Sequence, residues 1–418
     1  MSRIGLGLTE MQILVLNSGS SSQKSCVYDI GEVLPDNPPR CSWEGRIEWD
    51  GDRAEAFVKT SQGVSHEPVA VGSRAKAVEH LLSSLWRDQT RAISSPSEID
   101  VVGHRVVHGG PQYEEPVVVT PEVKLAIAGV SAFAPLHSRA ELEGMEIAGR
   151  LLGNVPQVAV FDTGFHRNMP LEAAVYPGPY EWYEGGIRRY GFHGINHHYC
   201  AGRAAQLLGA DLKSLKLVSC HLGNGCSVSA IHDGRSLDTS MGFTPLEGLM
   251  MGTRSGSVDP GILTYLMRRN SLTGDQLDEI LNRKSGLLGV SGISGDMRQI
   301  LAAMRNGSDR AKLAFAIYVH RLRVSIGAMA AVLGGIDALV FTAGVGENSP
   351  EVRAAACENL GFLGVKLDAK KNAGPSLDQD ISADGSSVRV FVIAAQEDWG
   401  IARECWKLVR AGSWLTPK

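Results

Sequence analysis

Hydrophobic and polar positions along this chain follow two alternating periods. Continuous apolar runs at Ile13 to Leu16, Val101 to Val102, Val155 to Phe161, Leu215 to Cys220, Ala338 to Thr342 and Val388 to Ala394 read as buried strands. Between them the spacing lengthens to that of helices. Val78, Leu81, Leu82, Leu85 and Trp86 share one helical face after a cap at Ser73. Ser138 with Glu141 spells a capping box ahead of Leu142, Met145 and Leu152, and Gly153 closes that helix. Asn196 stands where it would cap a helix carrying Tyr199, Cys200, Leu207 and Leu208. The apolar stretch from Ile326 to Val345 is broken by Gly334, Gly335 and Asp337, which predicts helix, turn and strand rather than a membrane span. Strands alternating with helices of this length predict an α/β protein with mixed or parallel sheets.

Three segments leave this pattern. Residues 31–40 are Pro-rich and predict a hairpin connection. Residues 169–191 are dense in Pro, Gly and Tyr and predict a surface flap. Residues 371–387 are polar and predict a loop. One pattern occurs twice. Ile13 to Asp29 is an apolar strand, a Gly/Ser/Asn turn and an alternating strand, and Leu215 to Gly234 repeats it two hundred residues later. Two such hairpins half a chain apart predict a duplicated domain with the two turns facing one another across a cleft.

Composition narrows the class. The 418 residues suffice for two or three domains, and a formal net charge of −4 gives no support to nucleic-acid or membrane-surface binding. Seven scattered cysteines without a CxxC pair, and an N-terminus without signal-peptide features, predict reduced thiols in a cytoplasmic protein. The 48 glycines exceed the ~7% that is typical. Many fall in short segments that also carry polar or charged residues, where the backbone can approach a ligand closely.

Those segments hold the candidate chemistry. There is no Walker-type P-loop, GxGxxG, GxSxG or HExxH. Two turns suit a phosphate: Asn17 to Lys24, with small residues, hydroxyls and one cation, and His221-Leu222-Gly223-Asn224-Gly225. Either is equally compatible with a plain β-hairpin. Arg105 lies between His104 and His108 in GHRVVHGG, and Arg254 lies in GTRSG. Guanidinium forks among glycines suit carboxylate or phosphate. His193/His197 and His104/His108 have the i,i+4 spacing of a metal site, but their Gly-rich surroundings argue against zinc. Asp162 and Glu397 with Asp398 follow strands, and Asp296 lies in SGISGDMR. Such carboxylates either hold Mg²⁺ on a nucleotide or cap the following helices.

Taken in order, NSGSSSQK, GHRVVHGG, APLH, FDTGFH, YGFHG, HLGNG, LDTSMGFTPLEGLMMGTRSGSVDPG, SGISGDMR and FTAGVGEN resemble the signatures of the acetokinase family, from about Met11 to Arg403. The block from Leu237 to Gly261 is the most specific. The resemblance implies two duplicated ribonuclease-H-like, actin-like ATPase domains with mixed sheets flanked by helices and the active site in the interdomain cleft. It divides the chain into 1–162 plus 397–418, and 163–396 for nucleotide binding and dimerisation. It implies reversible transfer of the ATP γ-phosphate to acetate, giving acetyl phosphate and ADP, with Mg²⁺ (or Mn²⁺), in a homodimer.

Position by position, the resemblance implies catalytic roles for Asp162, His193, Arg254 and Arg105. It implies a substrate site of Arg105, Val107, Leu136, His137, Phe192 and Pro245. The nucleotide site would be Lys24, His221, Leu222, Gly223, Asn224, Gly225, Asp296, Met297, Arg298, Gly344, Val345, Gly346, Glu347 and Asn348, and the metal would lie at Asn17 and Glu397. Val107, where propionate kinases typically have Ala, favours acetate. The chain departs from the family at Ser18 (usually Ala), Gln23 (usually Leu), Ser138-Arg139 (usually Asn-Pro), Asn196 (usually Ser) and Ala395 to Asp398 (usually Thr-Asn-Glu-Glu). Two alternatives stay open: a kinase for propionate or another short carboxylate, and an actin- or chaperone-like ATP-binding switch.

Overall fold

The computed structural model describes residues 10–19, 22–50, 53–69, 73–87, 89–131, 135–374 and 377–412. Two compact units form, Met1–Gly164 with Gln396–Lys418, and Phe165–Ala395.

The first unit carries strands β1 (Glu10–Ser18), β2 (Ser22–Gly31), β3 (Trp43–Asp50), β4 (Arg53–Thr60), β5 (Gly63–Val69), β6 (Val101–Val106), β7 (Val117–Val118) and β8 (Gln157–Phe161). They form one sheet in the order β5-β4-β3-β2-β1-β6-β8-β7. β1, β6 and β8 run parallel, with Leu16 opposite His104 and Val106 opposite Phe161. The second unit carries β9 (Lys216–Leu222), β10 (Cys226–His232), β11 (Arg235–Thr239), β12 (Ala338–Thr342), β13 (Gln379–Asp380) and β14 (Arg389–Val392), in the order β11-β10-β9-β12-β14-β13. The series β3-β2-β1-β6-β8 and β11-β10-β9-β12-β14 are the same topology. Each is an antiparallel meander whose first strand also starts a parallel run. The sequence echo is therefore a duplication of sheet order.

Alternation along β1 sends its side chains to opposite faces. Leu14 and Leu16 join Trp43, Ile47, Leu81, Leu82, Val102 and Ile147 in a core under the helices Arg74–Ser83 and Pro135–Leu152. The other face receives the C-terminal helix Glu397–Arg410, which buries Trp399, Ile401, Ala402 and Cys405. Its approach requires glycine at 103: a Cβ there would lie 2.6 Å from Ile401 and 2.7 Å from Cys405. In the second unit the 25-residue helix Asp309–Leu333 packs on β10 and buries Tyr318, Leu322, Ile326 and Leu333. It ends at Gly334, so the stretch from Ile326 to Val345 is the expected helix, turn and strand. All seven cysteines are free thiols.

Several local expectations need correction. Ser138 and Glu141 form no capping box, because the helix begins earlier, at Pro135. The Glu141 carboxylate instead accepts the Val107 amide at 3.0 Å. Asn196 is not a cap either. Its helix, Gly194–Leu208, starts after His193, and Asn196 is buried inside it. Ser73 does cap its helix, accepting from the Lys76 amide. Residues 31–40 join paired antiparallel strands as expected. The 169–191 segment is pinned rather than free. It holds the helices Leu171–Ala174 and Tyr180–Glu184, and Arg189 donates to Thr239 O (2.9 Å) and Glu247 (2.8 Å). The 371–387 segment contributes strand β13.

Candidate active site

In the first unit the carboxyl ends of the parallel strands gather polar groups. Asn17, at the end of β1, donates through Nδ2 to Glu397 Oε2 (3.1 Å) and Asp398 Oδ1 (2.9 Å), both at the start of the C-terminal helix. Arg105 on β6 donates to Asp162 Oδ2 at 2.7 Å, just beyond β8, and its Nε lies 3.9 Å from Glu397. The Asp162 side chain is only 1% exposed and that of Arg105 13%. Burial disfavours the Arg105 charge, but Asp162 and then Glu397 outweigh it and hold the guanidinium above its ordinary value. Burial pushes the Asp398 carboxyl up, against the pull of Asn17. Lys24 is exposed on β2. The residues flanking the first turn, Ser18 and Gln23, face each other across the hairpin and are joined by a 2.7 Å bond.

Val107 is buried beyond Arg105, and its amide is held by Glu141, whose local spacing with Ser138 suggests only a helix cap. Burial pushes Glu141 up to about 8, against the opposing pull of the Val107 amide and Arg105. The folded state therefore keeps a proton that the unfolded chain loses near the ordinary carboxyl value, so stability falls as pH rises through that interval. Each pH unit costs at most about 1.4 kcal/mol. Glu141→Gln keeps an acceptor for Val107 and should flatten this dependence, gaining on the order of 2 kcal/mol over wild type at pH 7.5 relative to pH 5.5. Denaturant unfolding at the two values checks it, and an equal difference at both would refute the assignment. The side chains of Leu136 and His137 lie outside the described residues.

In the second unit the β9–β10 turn is the centre. Gly223 N donates to Gly225 O at 3.0 Å, and Leu222 is fully buried beneath the turn. A Cβ on Gly225 would lie 3.4 Å from both Arg254 Nη1 and His193 Nε2, so a guanidinium and an imidazole nitrogen converge on this turn. His193 precedes its helix with φ 57°, a left-handed conformation rare outside glycine. Its ring stacks on His221 with centroids 3.9 Å apart. Asn196 Nδ2 lies 2.9 Å from His221 Nδ1, which explains a side chain longer than Ser at this position. Arg254 donates to Pro245 O at 3.2 Å, and burial lowers its pKa.

The remaining nucleotide candidates belong to the same unit. Asp296 caps the helix Met297–Arg305 and grips exposed Arg298 at 2.6 Å, while Met297 is buried. Gly344, Val345, Gly346, Glu347 and Asn348 lie in the short helix Ala343–Asn348. Glu347 accepts from the amides of Ala343 (2.9 Å) and Ala395 (2.8 Å), tying the ends of β12 and β14 together. Phe192 is buried, and its carbonyl lies 3.1 Å from His166 Nε2. The i,i+4 histidines are not ligand pairs: His104 bonds Gln157, and His197 lies between two serines. Among the described residues no group of three His, Cys, Asp or Glu has metal-binding geometry.

Residues 12–403 match the acetokinase family. The chain belongs to that family. An acetate kinase from Gloeobacter violaceus is 59% identical over 404 residues, covering 96% of this chain and all of that one. The crystal structure of Porphyromonas gingivalis acetate kinase has a TM-score of 0.86 at 40% identity, covering 96% of this chain and 100% of the other. A propionate kinase from Francisella tularensis is 36% identical with a TM-score of 0.85, covering 94% and 98%. Solved structures named as an acetate kinase and as a propionate kinase are thus both similar to this chain, and their α/β fold with two flanked mixed sheets is the one found here.

Proposed function

We propose that this protein is an acetate kinase, transferring the γ-phosphate of ATP to acetate and back. The observation that carries the reading is the convergence of Arg254 Nη1 and His193 Nε2 on Gly225. A guanidinium and an imidazole meeting at a glycine turn suit a phosphoryl group. Acetate is ionised at neutral pH, since carboxyl groups titrate near ~4, so the nucleophile needs no base. The barrier is electrostatic: two unit charges 4 Å apart repel by roughly 4 kcal/mol at an effective dielectric of ~20. Arg105, kept charged by Asp162, receives the acetate carboxylate. Arg254 and His193 take the equatorial oxygens, and the turn from His221 to Gly225 takes the nucleotide phosphates. Asp162 orients Arg105 rather than acting as a base.

The Glu397 and Asp398 carboxylates, gathered by Asn17 Nδ2, bring hard oxygens that fit Mg²⁺, which typically takes one or two protein oxygens plus phosphate, and Asn17 and Glu397 are the residues that would hold it. When bound, the ion supplies neutralisation of phosphate charge. The helix Pro260–Asn270 buries none of its residues and exposes Ile262, Tyr265 and Met267, which supports a homodimer through the second unit. Free thiols throughout favour a reducing compartment.

Trapping acyl phosphate with hydroxylamine tests the activity. Hydroxamate should form with acetate above propionate and butyrate. Formation with none of the acids would favour the ATP-binding switch. One methylene is worth only about 1–3 kcal/mol in an apolar pocket, so the preference is graded. Val107→Ala should raise kcat/KM for propionate relative to acetate by roughly tenfold, and an unchanged ratio would remove Val107 from the acyl pocket.

A further inference from the structure

Behind His193 runs a file of side chains. His193 Nδ1 lies 2.9 Å from Ser227 Oγ, and the same oxygen lies 2.7 Å from His197 Nε2. His197 Nδ1 lies 2.9 Å from Ser219 Oγ. Ser219 comes from β9, His197 from the helix that His193 begins, and Ser227 from β10; all three are fully buried. The chemistry of such a file is restrictive. A hydroxyl has one proton and two lone pairs. With the His193 and His197 nitrogens as the side-chain partners of Ser227 Oγ among the described residues, keeping its proton in a hydrogen bond within the file means donating to one ring and accepting from the other.

Two directions are self-consistent for neutral rings. In one, Ser219 donates to His197 Nδ1, His197 donates from Nε2 to Ser227, and Ser227 donates to His193 Nδ1. The proton of His193 then sits on Nε2, the nitrogen that faces Gly225. In the other, every bond is reversed, and a neutral His193 presents a bare lone pair toward that turn. Phosphoryl oxygens only accept, so only the first direction offers them a donor. The surroundings favour neutral rings. Burial holds His197 well below the ordinary histidine value. His193 is stacked at 3.9 Å on His221, whose Nδ1 is occupied by Asn196 Nδ2 at 2.9 Å. The parallel ring and the left-handed backbone at φ 57° fix the plane of His193; the file fixes its proton.

We infer that Ser227 and His197 are positioning residues that hold His193 in the tautomer protonated on Nε2, so that a neutral imidazole donates to the transferring phosphoryl group. The inference rests on the reading of His193 as a phosphoryl ligand given above, but the tautomer is measurable without turnover. The experiment is ¹⁵N spectroscopy of histidine-labelled full-length protein, with the His193 ring assigned by its loss in His193→Asn, beside steady-state kinetics of Ser227→Ala. Ser227→Ala removes one buried oxygen and adds no volume. The wild-type spectrum should show the proton on Nε2, and Ser227→Ala should mix the two tautomers. In the same variant kcat should fall about 10–100-fold, as when a residue that orients an imidazole is lost, with KM for acetate and ATP near wild type. An unchanged tautomer in Ser227→Ala would overturn the file as the cause, whatever the rate. A shifted tautomer with wild-type kcat would overturn its role in transfer. Absence of kinase activity in the wild type would sink the phosphoryl reading while leaving the tautomer result standing.

Discussion

Arg254→Ala is expected to lower kcat by about 10³-fold or more, the scale of losing an arginine that neutralises charge on a transferring phosphoryl group. The size follows from what surrounds the side chain. Arg254 has a carbonyl, Pro245 O, and a thioether, Met251 Sδ at 3.9 Å, as its hydrogen-bond partners, and no carboxylate within ion-pair distance among the described residues. Burial lowers its pKa, so the charge is held at a cost, and an arriving phosphate relieves it. Arg105 differs, since Asp162 and Glu397 already answer its charge. Arg254→Lys keeps the charge but loses the two-pronged donor and should fall between wild type and Ala. Turnover at saturating acetate and ATP measures this. A kcat for Arg254→Ala within about tenfold of wild type would exclude the assigned role.

The second large effect is on stability. Asp162→Ala should cost roughly 3 kcal/mol of unfolding free energy in the first unit, the lower end for removing one partner of a buried ion pair. The lower end applies because Glu397 remains 3.9 Å from Arg105 Nε and takes part of the charge. Asp162→Asn keeps an acceptor for Arg105 Nη2 and should cost less. Activity should fall in both variants, as Arg105 loses its orientation. Guanidinium unfolding monitored by the tryptophans provides the measurement; Trp43, Trp49, Trp86, Trp399 and Trp406 all belong to the first unit. Equal stability of Asp162→Ala and wild type would mean that the pair does not hold in solution.

How much of this was legible depended on range. Strands with continuous apolar runs, such as Ala338–Thr342, stand where the pattern placed them, because both sheet faces are covered. The β3–β5 meander left no comparable signal, since β5 is mostly exposed and its residues need not be apolar. Helix starts failed where a polar side chain was taken up by a distant partner. Glu141 serves Val107, and Asn196 serves His221, contacts that no local spacing encodes. Ser18 and Gln23 looked like two separate departures from the family pattern. They are one change, because each is the other's cross-strand partner. The polar turns, the arginines and His193 could be singled out by residue type. The serines behind His193 could not, since Ser219 and Ser227 lie inside the buried strands β9 and β10 and nothing in their spacing sets them apart.

The C-terminal helix has a consequence for synthesis. The N-terminal part of the first unit emerges from the ribosome with one face of its sheet bare, because Trp399, Ile401 and Cys405 are translated after the whole second unit. The second unit is continuous and can complete its core while the chain is still growing. The last helix of the first unit is thus supplied only after the whole of the second unit has been made, so the two units do not complete in the N-terminal-first order common among multidomain chains. The first unit gains that face's cover only when Glu397–Arg410 has followed residues 165–395 out of the ribosome.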